Sequence, residues 1–299
     1  MRSFFNQNII LVCNFIFFSG ISESEYLKKL YSSVQIEDNI IFAKGNIPTN
    51  KKYHSSIKSY LSFILSEFHE IIIELDILEK KLKKGELKKA KQAYIQAHQH
   101  YEAIRPIVIL FGNSDRIINA KDDYFLKGVK DYRFTGFHLI EYQLFYCKNI
   151  KASLNATDQL SMKLRDLKKR ISTENLDIIN LVQASIYFIE MILETKLAGK
   201  ENIYSFSDLN DIAANLRGSK EVVKVLSPFI AKKELSLILK NYQKSNDILS
   251  HYQLSQGEYK SYNQLSNKDK MTFYSILSQQ AEFLVALRAQ LDLDLYHKY

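Results

Sequence analysis

An all-α fold is predicted for this 299-residue chain, and three observations predict it. Only 9 Gly and 3 Pro interrupt the sequence, too few turn-formers for a protein made of many short strands. Apolar residues recur at spacings of three and four over long stretches, the period of a helix with one buried face. Hydrophobic residues make up 46% and charged residues 25%, a balance that fits a globular chain with a sizeable core and not a disordered one. One or two up-and-down helical bundles are the expected arrangement.

The first element reads as an address. MRSFFNQNIILVCNFIFFSGISES carries Arg2, an apolar run at 9–18, and the small residues Ser19, Gly20 and Ser22 ahead of Glu23. That order is the pattern of a secretory signal peptide over 1–22, with Gly20 and Ser22 at the −3 and −1 cleavage positions. The run is too short for a stable membrane anchor; the alternative is a buried N-terminal helix. Cys13 follows Ile10-Leu11-Val12 and lacks the small residue expected directly before a lipidated cysteine, so plain secretion is expected over lipoprotein anchoring. The mature chain then keeps Cys147 alone and forms no internal disulfide. No later segment reads as a transmembrane helix. The expected location is the periplasm or cell envelope.

Residues 23–49 form an N-terminal extension, and the helical domain occupies 50–299. Over 51–84, Ile57, Leu61, Ile64, Leu65, Phe68, Ile71, Ile72, Leu75 and Leu78 mark a helix. Gly85 breaks it, and a second helix over 86–111 completes an antiparallel hairpin. A polar excursion spans 113–130, and a helix runs from there to about residue 146. A polar joint is expected at 148–158. Further helices are expected over 159–171, 175–197, 208–216, 220–226, 232–253 and 268–291, with Ser207 as an N-cap and Gly218 as a C-terminal stop. The formal net charge is +8, yet the lysines are scattered or gathered in the turn LEKKLKKGELKKAK. Without an arginine-rich stripe and interleaved aromatics, no nucleic-acid partner is expected.

Candidate chemistry concentrates in two stretches. TGFHLIEYQLF, residues 135–145, sets His138 and Glu141 three apart inside an apolar run. On a helix such positions share a face with Cβ atoms roughly 5–6 Å apart, so imidazole and carboxylate can converge on one ion. A lone carboxylate in that setting is costly and needs a partner. HQHYEAIRPIVILFG supplies one in Glu102, with His98 one turn earlier on the same face. Pro106 cannot donate to the carbonyl of Glu102, so it should kink the helix there and free that oxygen. A hydrogen-bonded His–Glu pair without a metal satisfies the same spacing. The zinc-protease pattern HExxH is absent: His69-Glu70 is followed by Ile73 where the second His belongs.

YEAIRPIVILFG, TGFHLIEYQLF and YSFSDLNDIAANLRGSKEVVKVLSP, in that order, resemble the imelysin-like family. That family includes the EfeO-type periplasmic component of bacterial iron uptake. The resemblance covers about residue 51 to the C-terminus. It implies two four-helix-type bundles related by duplication, with possible sub-bundles at 50–157 and 158–299, and a metal site around the His-x-x-Glu pair. Carried over by position, His138, Glu141 and Glu102 are the implied ligands. Asn119 stands where relatives often have an acid; its carbonyl oxygen can still ligate, and Asp115, Asp122 and Asp123 could compensate for the missing charge. Arg105 stands where a Glu is common. Only residues 23–49 precede the bundle, so the resemblance is to the stand-alone form without a cupredoxin domain, and no copper redox role is expected. In the third motif, Asp208, Asp211 and Asn215 could form a second polar site, but a capped structural helix is the preferred expectation.

The resemblance thus implies a secreted protein that binds a divalent metal, iron in the first place and zinc as an alternative, and passes it to an inner-membrane permease, with a haem peroxidase as a further partner. The metal is expected to be cargo, and an enzyme is not the favoured expectation. One alternative is an imelysin-type metallopeptidase with Glu102 as base. The other is a polysaccharide- or protein-binding module in which the His–Glu pair is structural.

Overall fold

The computed structural model describes residues 50–291, which lie within one compact unit. The expected signal peptide at 1–22, the extension at 23–49 and residues 292–299 lie outside the described residues. Ten α-helices appear among the described residues: α1 (His54–Lys83), α2 (Leu87–Glu102), α3 (Arg105–Val108), α4 (Ser114–Asn119), α5 (Phe137–Glu141), α6 (Ile150–Thr173), α7 (Ile178–Met191), α8 (Asp208–Leu226), α9 (Lys232–Ser250) and α10 (Asn267–Gln290). The fold is all-α, as expected.

α1 and α2 pack as a hairpin about Gly85, whose φ of 70° is easy only for glycine. The buried stripe of α1 runs Tyr60, Ile64, Phe68, Ile71, Leu75, Leu78 and Leu82, at spacings of three and four. α6 lies against α1 and α5. It begins where a polar joint was expected, because Asn149 caps it by accepting from Ala152 N at 3.0 Å. Ala156, Leu160, Leu164, Leu167 and Ile171 bury one face, and the polarity of 148–158 belongs to the other.

α7, α9 and α10 form a second group, with α7 started by a reciprocal Asp177–Asn180 capping box. α8 packs against α7 and α9 of that group and against α1 and α2 of the first, so its side chains reach both. It runs unbroken through Gly218, contrary to the expected stop. The glycine serves packing: a Cβ there would lie 2.3 Å from Ala103 O and 2.5 Å from Phe188 Cζ. Ser207 precedes α8 without the side-chain capping bond expected of it. Between α9 and α10 lies a two-stranded hairpin, β1 (Gln253–Ser255) and β2 (Glu258–Tyr259), which the sequence pattern did not suggest.

Two helices widen into a π-helical turn where they approach the site: α5 into Tyr142–Tyr146 and α7 into Ile192–Lys196. Such turns shift the phase of the following side chains and recur at functional sites. The span Ile178–Lys196 is also long and apolar enough to cross a membrane by length and composition, contrary to expectation. Half of it is buried here, against α8, α10 and α3, and it ends in an internal lysine.

Candidate metal centre

α2 ends at Glu102, whose side chain is fully buried, and the chain turns through Ala103 and Ile104 before Pro106 enters α3. The carbonyl that Pro106 leaves free is used as expected of a freed acceptor: Asn215 Nδ2, from α8, donates to Glu102 O at 2.9 Å and to Oε2 at 3.0 Å. Glu102 Oε1 accepts from Arg105 Nη1 at 3.1 Å and Asn119 Nδ2 at 3.3 Å. His98, one turn earlier, places Nε2 3.6 Å from the same oxygen.

The His138–Glu141 pair is intramolecular. His138 Nδ1 donates to Glu141 Oε2 at 2.9 Å. Glu141 Oε1 takes three further donors, Tyr204 N at 3.1 Å and Ser205 N and Oγ at 2.8 Å each. The stretch YSFSDLND therefore covers TGFHLIEYQLF through Glu141. This leaves Glu141 as the group that orients His138 and sets its tautomer, in the manner of carboxylates behind metal-binding histidines. His138 Nε2 is buried without a hydrogen-bond partner, 3.7 Å from Glu201 Oε1. Burial opposes a charge on this ring, but the bond to Glu141 and the nearby Glu201 outweigh it and raise its pKa to about 9.

His98 and Asp211 complete the core of the cluster. His98 Nε2 donates to Asn119 Oδ1 at 3.0 Å. The amide's orientation follows from its other end, where Nδ2 faces Glu102 and Glu201 and must be the donor. His98 Nδ1 then faces Asp211 Oδ1 at 3.3 Å, and neither atom has a hydrogen-bond partner. Nδ1 must carry a second proton or offer its lone pair to a cation shared with Asp211. Burial disfavours the proton, yet the charges of Asp211 and Glu102 raise the ring's pKa. His98, Glu102 and Asp211 each offer one ligand atom, all within 4.8 Å of one another.

Two cations face these acids. Lys196 Nζ, fully buried, lies 3.1 Å from Glu102 Oε2, 3.1 Å from Asp211 Oδ2 and 3.4 Å from Glu201 Oε1. Arg105 Nη1 bonds Glu201 Oε1 at 2.6 Å, and its Nε bonds Asp115 Oδ1 at 2.9 Å. Burial alone would raise the carboxyl pKa values, but Lys196 and Arg105 hold Glu201 well below the carboxylate range, and His98 and Lys196 do the same for Asp211. The same acids hold the Lys196 ammonium protonated against its burial.

Of the residues singled out from sequence, His98, Glu102, Asn119 and His138 converge here, with Glu141 behind His138. Asp115 does not join them: it is engaged by Arg105 and by Tyr101 Oη at 2.6 Å. Asp122 accepts from Tyr204 Oη at 3.1 Å, and Asp123 is exposed beside Lys121. The charge missing at Asn119 is instead supplied by Glu201 and Asp211, from elements distant in sequence. Asp211 and Asn215 thus belong to this cluster and not to a separate site. Glu201 and Lys196 were missed altogether; the one available signal was their place just before YSFSDLND.

Asp208 lies at the edge of the cluster. Its Oδ1 accepts from Asn202 N at 3.4 Å and its Oδ2 is buried without a partner. Burial, then the charge of Asp211, raise its pKa to about 7. A carboxyl with a raised folded-state pKa subtracts stability as pH climbs from about 4 to 7, and the loss persists above. Asp208→Asn is therefore expected to raise urea stability by about 1–3 kcal/mol at pH 8, with little change at pH 4.

Mixed imidazole and carboxylate donors in a buried cluster suit Fe²⁺, Mn²⁺ or Zn²⁺. Comparison with known proteins agrees with the resemblance seen in the motifs. The chain is 33% identical over 242 residues to the "Iron uptake system component EfeO" of Shigella boydii serotype 4 (strain Sb227) and 32% identical to that of Escherichia coli (strain K12). The match covers 80% of this chain, which spans 64% of the length of these relatives. The imelysin family model matches residues 74–275, from the middle of α1 into α10 and across every residue of the cluster, and the chain belongs to the imelysin family.

Proposed function

We propose that this protein captures a divalent cation, iron in the first place, in the cell envelope and passes it to a membrane permease. His98, Glu102, His138 and Asp211 serve as ligands, with Glu201 adjacent. Glu141 and Asn119 orient the two histidines. One observation carries the reading: three buried atoms of ligating type, His98 Nδ1, His138 Nε2 and Asp211 Oδ1, have no hydrogen-bond partner. Atoms so placed are costly unless something satisfies them. The relatives' printed role in iron uptake supports iron as the cargo.

Calorimetric titration with Mn²⁺, Zn²⁺ and anaerobic Fe²⁺ tests the proposal. Wild-type protein is expected to bind one equivalent. His138→Ala with Glu141→Ala is expected to weaken binding by about 100-fold or more, while the far-ultraviolet helical signal survives. Unchanged affinity in that double variant would remove His138 from the site.

A further inference from the structure

Lys196 is the unusual member of the cluster. It has no exposed surface, and its ammonium touches three carboxylates, Glu102, Asp211 and Glu201, at 3.1, 3.1 and 3.4 Å. It reaches them because α7 ends in a π-helical turn, Ile192–Lys196, and the chain reverses directly after it. Asn202 Nδ2, just beyond, bonds the same Asp211 Oδ2 at 2.6 Å. A buried ammonium is tolerated only with such partners, and three buried carboxylates need a cation as much as the lysine needs them.

The contacts are divided by atom. On Asp211, Lys196 and Asn202 hold Oδ2, while Oδ1 points at His98 and is unpartnered. On Glu102, Lys196 and Asn215 hold Oε2, while Oε1 lies on the side of His98. Asp211 thus presents a free oxygen to the cluster, while Glu102 presents one that it shares with Arg105 and Asn119.

Resting on the metal-binding reading above, we propose that Lys196 is a built-in counter-cation. It keeps the acids assembled when no metal is bound and weakens the grip on a divalent ion by its own charge. Two cations sharing Glu102 and Asp211 repel one another at a separation where Coulomb forces are weakly screened. The consequence suits a carrier: the empty site does not collapse or expel its carboxylates, and the bound ion is held loosely enough to hand on.

Lys196→Met tests this, read by Mn²⁺ and Zn²⁺ calorimetry and by thermal unfolding with and without metal. The variant is expected to bind Mn²⁺ at least about tenfold more tightly than wild type, to unfold earlier when metal-free, and to recover stability on adding Mn²⁺. Should Lys196→Met fail to fold in either condition, Glu201→Gln is compared with Lys196→Met/Glu201→Gln, which restores the wild-type charge balance without the lysine. Tighter Mn²⁺ binding by the double variant than by Glu201→Gln supports the proposal. Wild-type binding with equal or weaker binding in the lysine variants overturns the counter-cation role alone and leaves the metal site standing. Binding only in the lysine variants supports the counter-cation role and overturns native metal capture. Binding by no form overturns both.

Discussion

Gly136→Ala is expected to destabilise the protein by about 3–5 kcal/mol in urea unfolding and to abolish divalent binding in the same preparation. Gly136 precedes α5 at φ 85° and ψ −153°, a region in effect reserved for glycine. A methyl group there would lie 2.0 Å from Ile118 O, a backbone atom held in place by its own helix. The neighbouring Thr135 Oγ1 already bonds Ile117 O at 2.9 Å, so the two segments are in direct contact. Separating them moves His138, two residues after Gly136, away from Asn119, one residue after Ile118. A loss below 1 kcal/mol would show that this contact yields easily and that the glycine of the motif is not steric in purpose.

Glu102→Ala is expected to cost about 3–5 kcal/mol and to eliminate metal binding. The carboxylate takes four donors, from Arg105, Asn119, Lys196 and Asn215. Its removal takes one partner from each of four buried donors: Lys196 keeps Asp211 and Glu201, Arg105 keeps Asp115 and Glu201, Asn119 keeps Glu201, and Asn215 keeps only the backbone carbonyl of residue 102. Glu102→Gln preserves the shape, so about half of that stability loss is expected to return. Metal affinity should not return with it, because a neutral amide repays less of a dication's desolvation. Equal metal affinity in the Gln variant would mean that Glu102 is a structural acceptor and no ligand. Because the group is fully buried, the stability loss should be nearly independent of salt between about 0.05 and 0.5 M, a range over which the Debye length shortens about threefold.

Helix periodicity was legible wherever one face is buried and the other wet, as in α1, whose apolar residues keep step over 30 residues. The role of Pro106 was legible too, since a missing donor is a local fact. Gly218 misled because glycine ends helices and also permits helices to touch, and only the position of Ala103 and Phe188 distinguishes the two uses. The polar stretch 148–158 misled because a cap and a half-buried helix face have the composition of a loop. In the site, His138, Glu141, Glu102 and His98 could be picked out because each pair lies within one helical turn. Glu201 and Lys196 could not, because their partners lie up to 96 positions away in sequence order, Arg105 for Glu201 and Glu102 for Lys196, and Lys196 depends on a π-helical turn with no sequence signature.

By itself the sequence determined the all-α class, the hairpin of α1 and α2, and the presence of a His–Glu pair and a kinked Tyr-Glu segment with ligating chemistry. These follow from period, spacing and the covalent nature of proline, which act within a few residues. The tertiary structure decided which oxygens face which cations. It turned Glu141 into the support of His138, brought Asp211 to His98 across 113 positions, and set Lys196 among three acids. Those choices arise when buried charges have to find partners, and the partners available are fixed by how α2, α5, α7 and α8 pack.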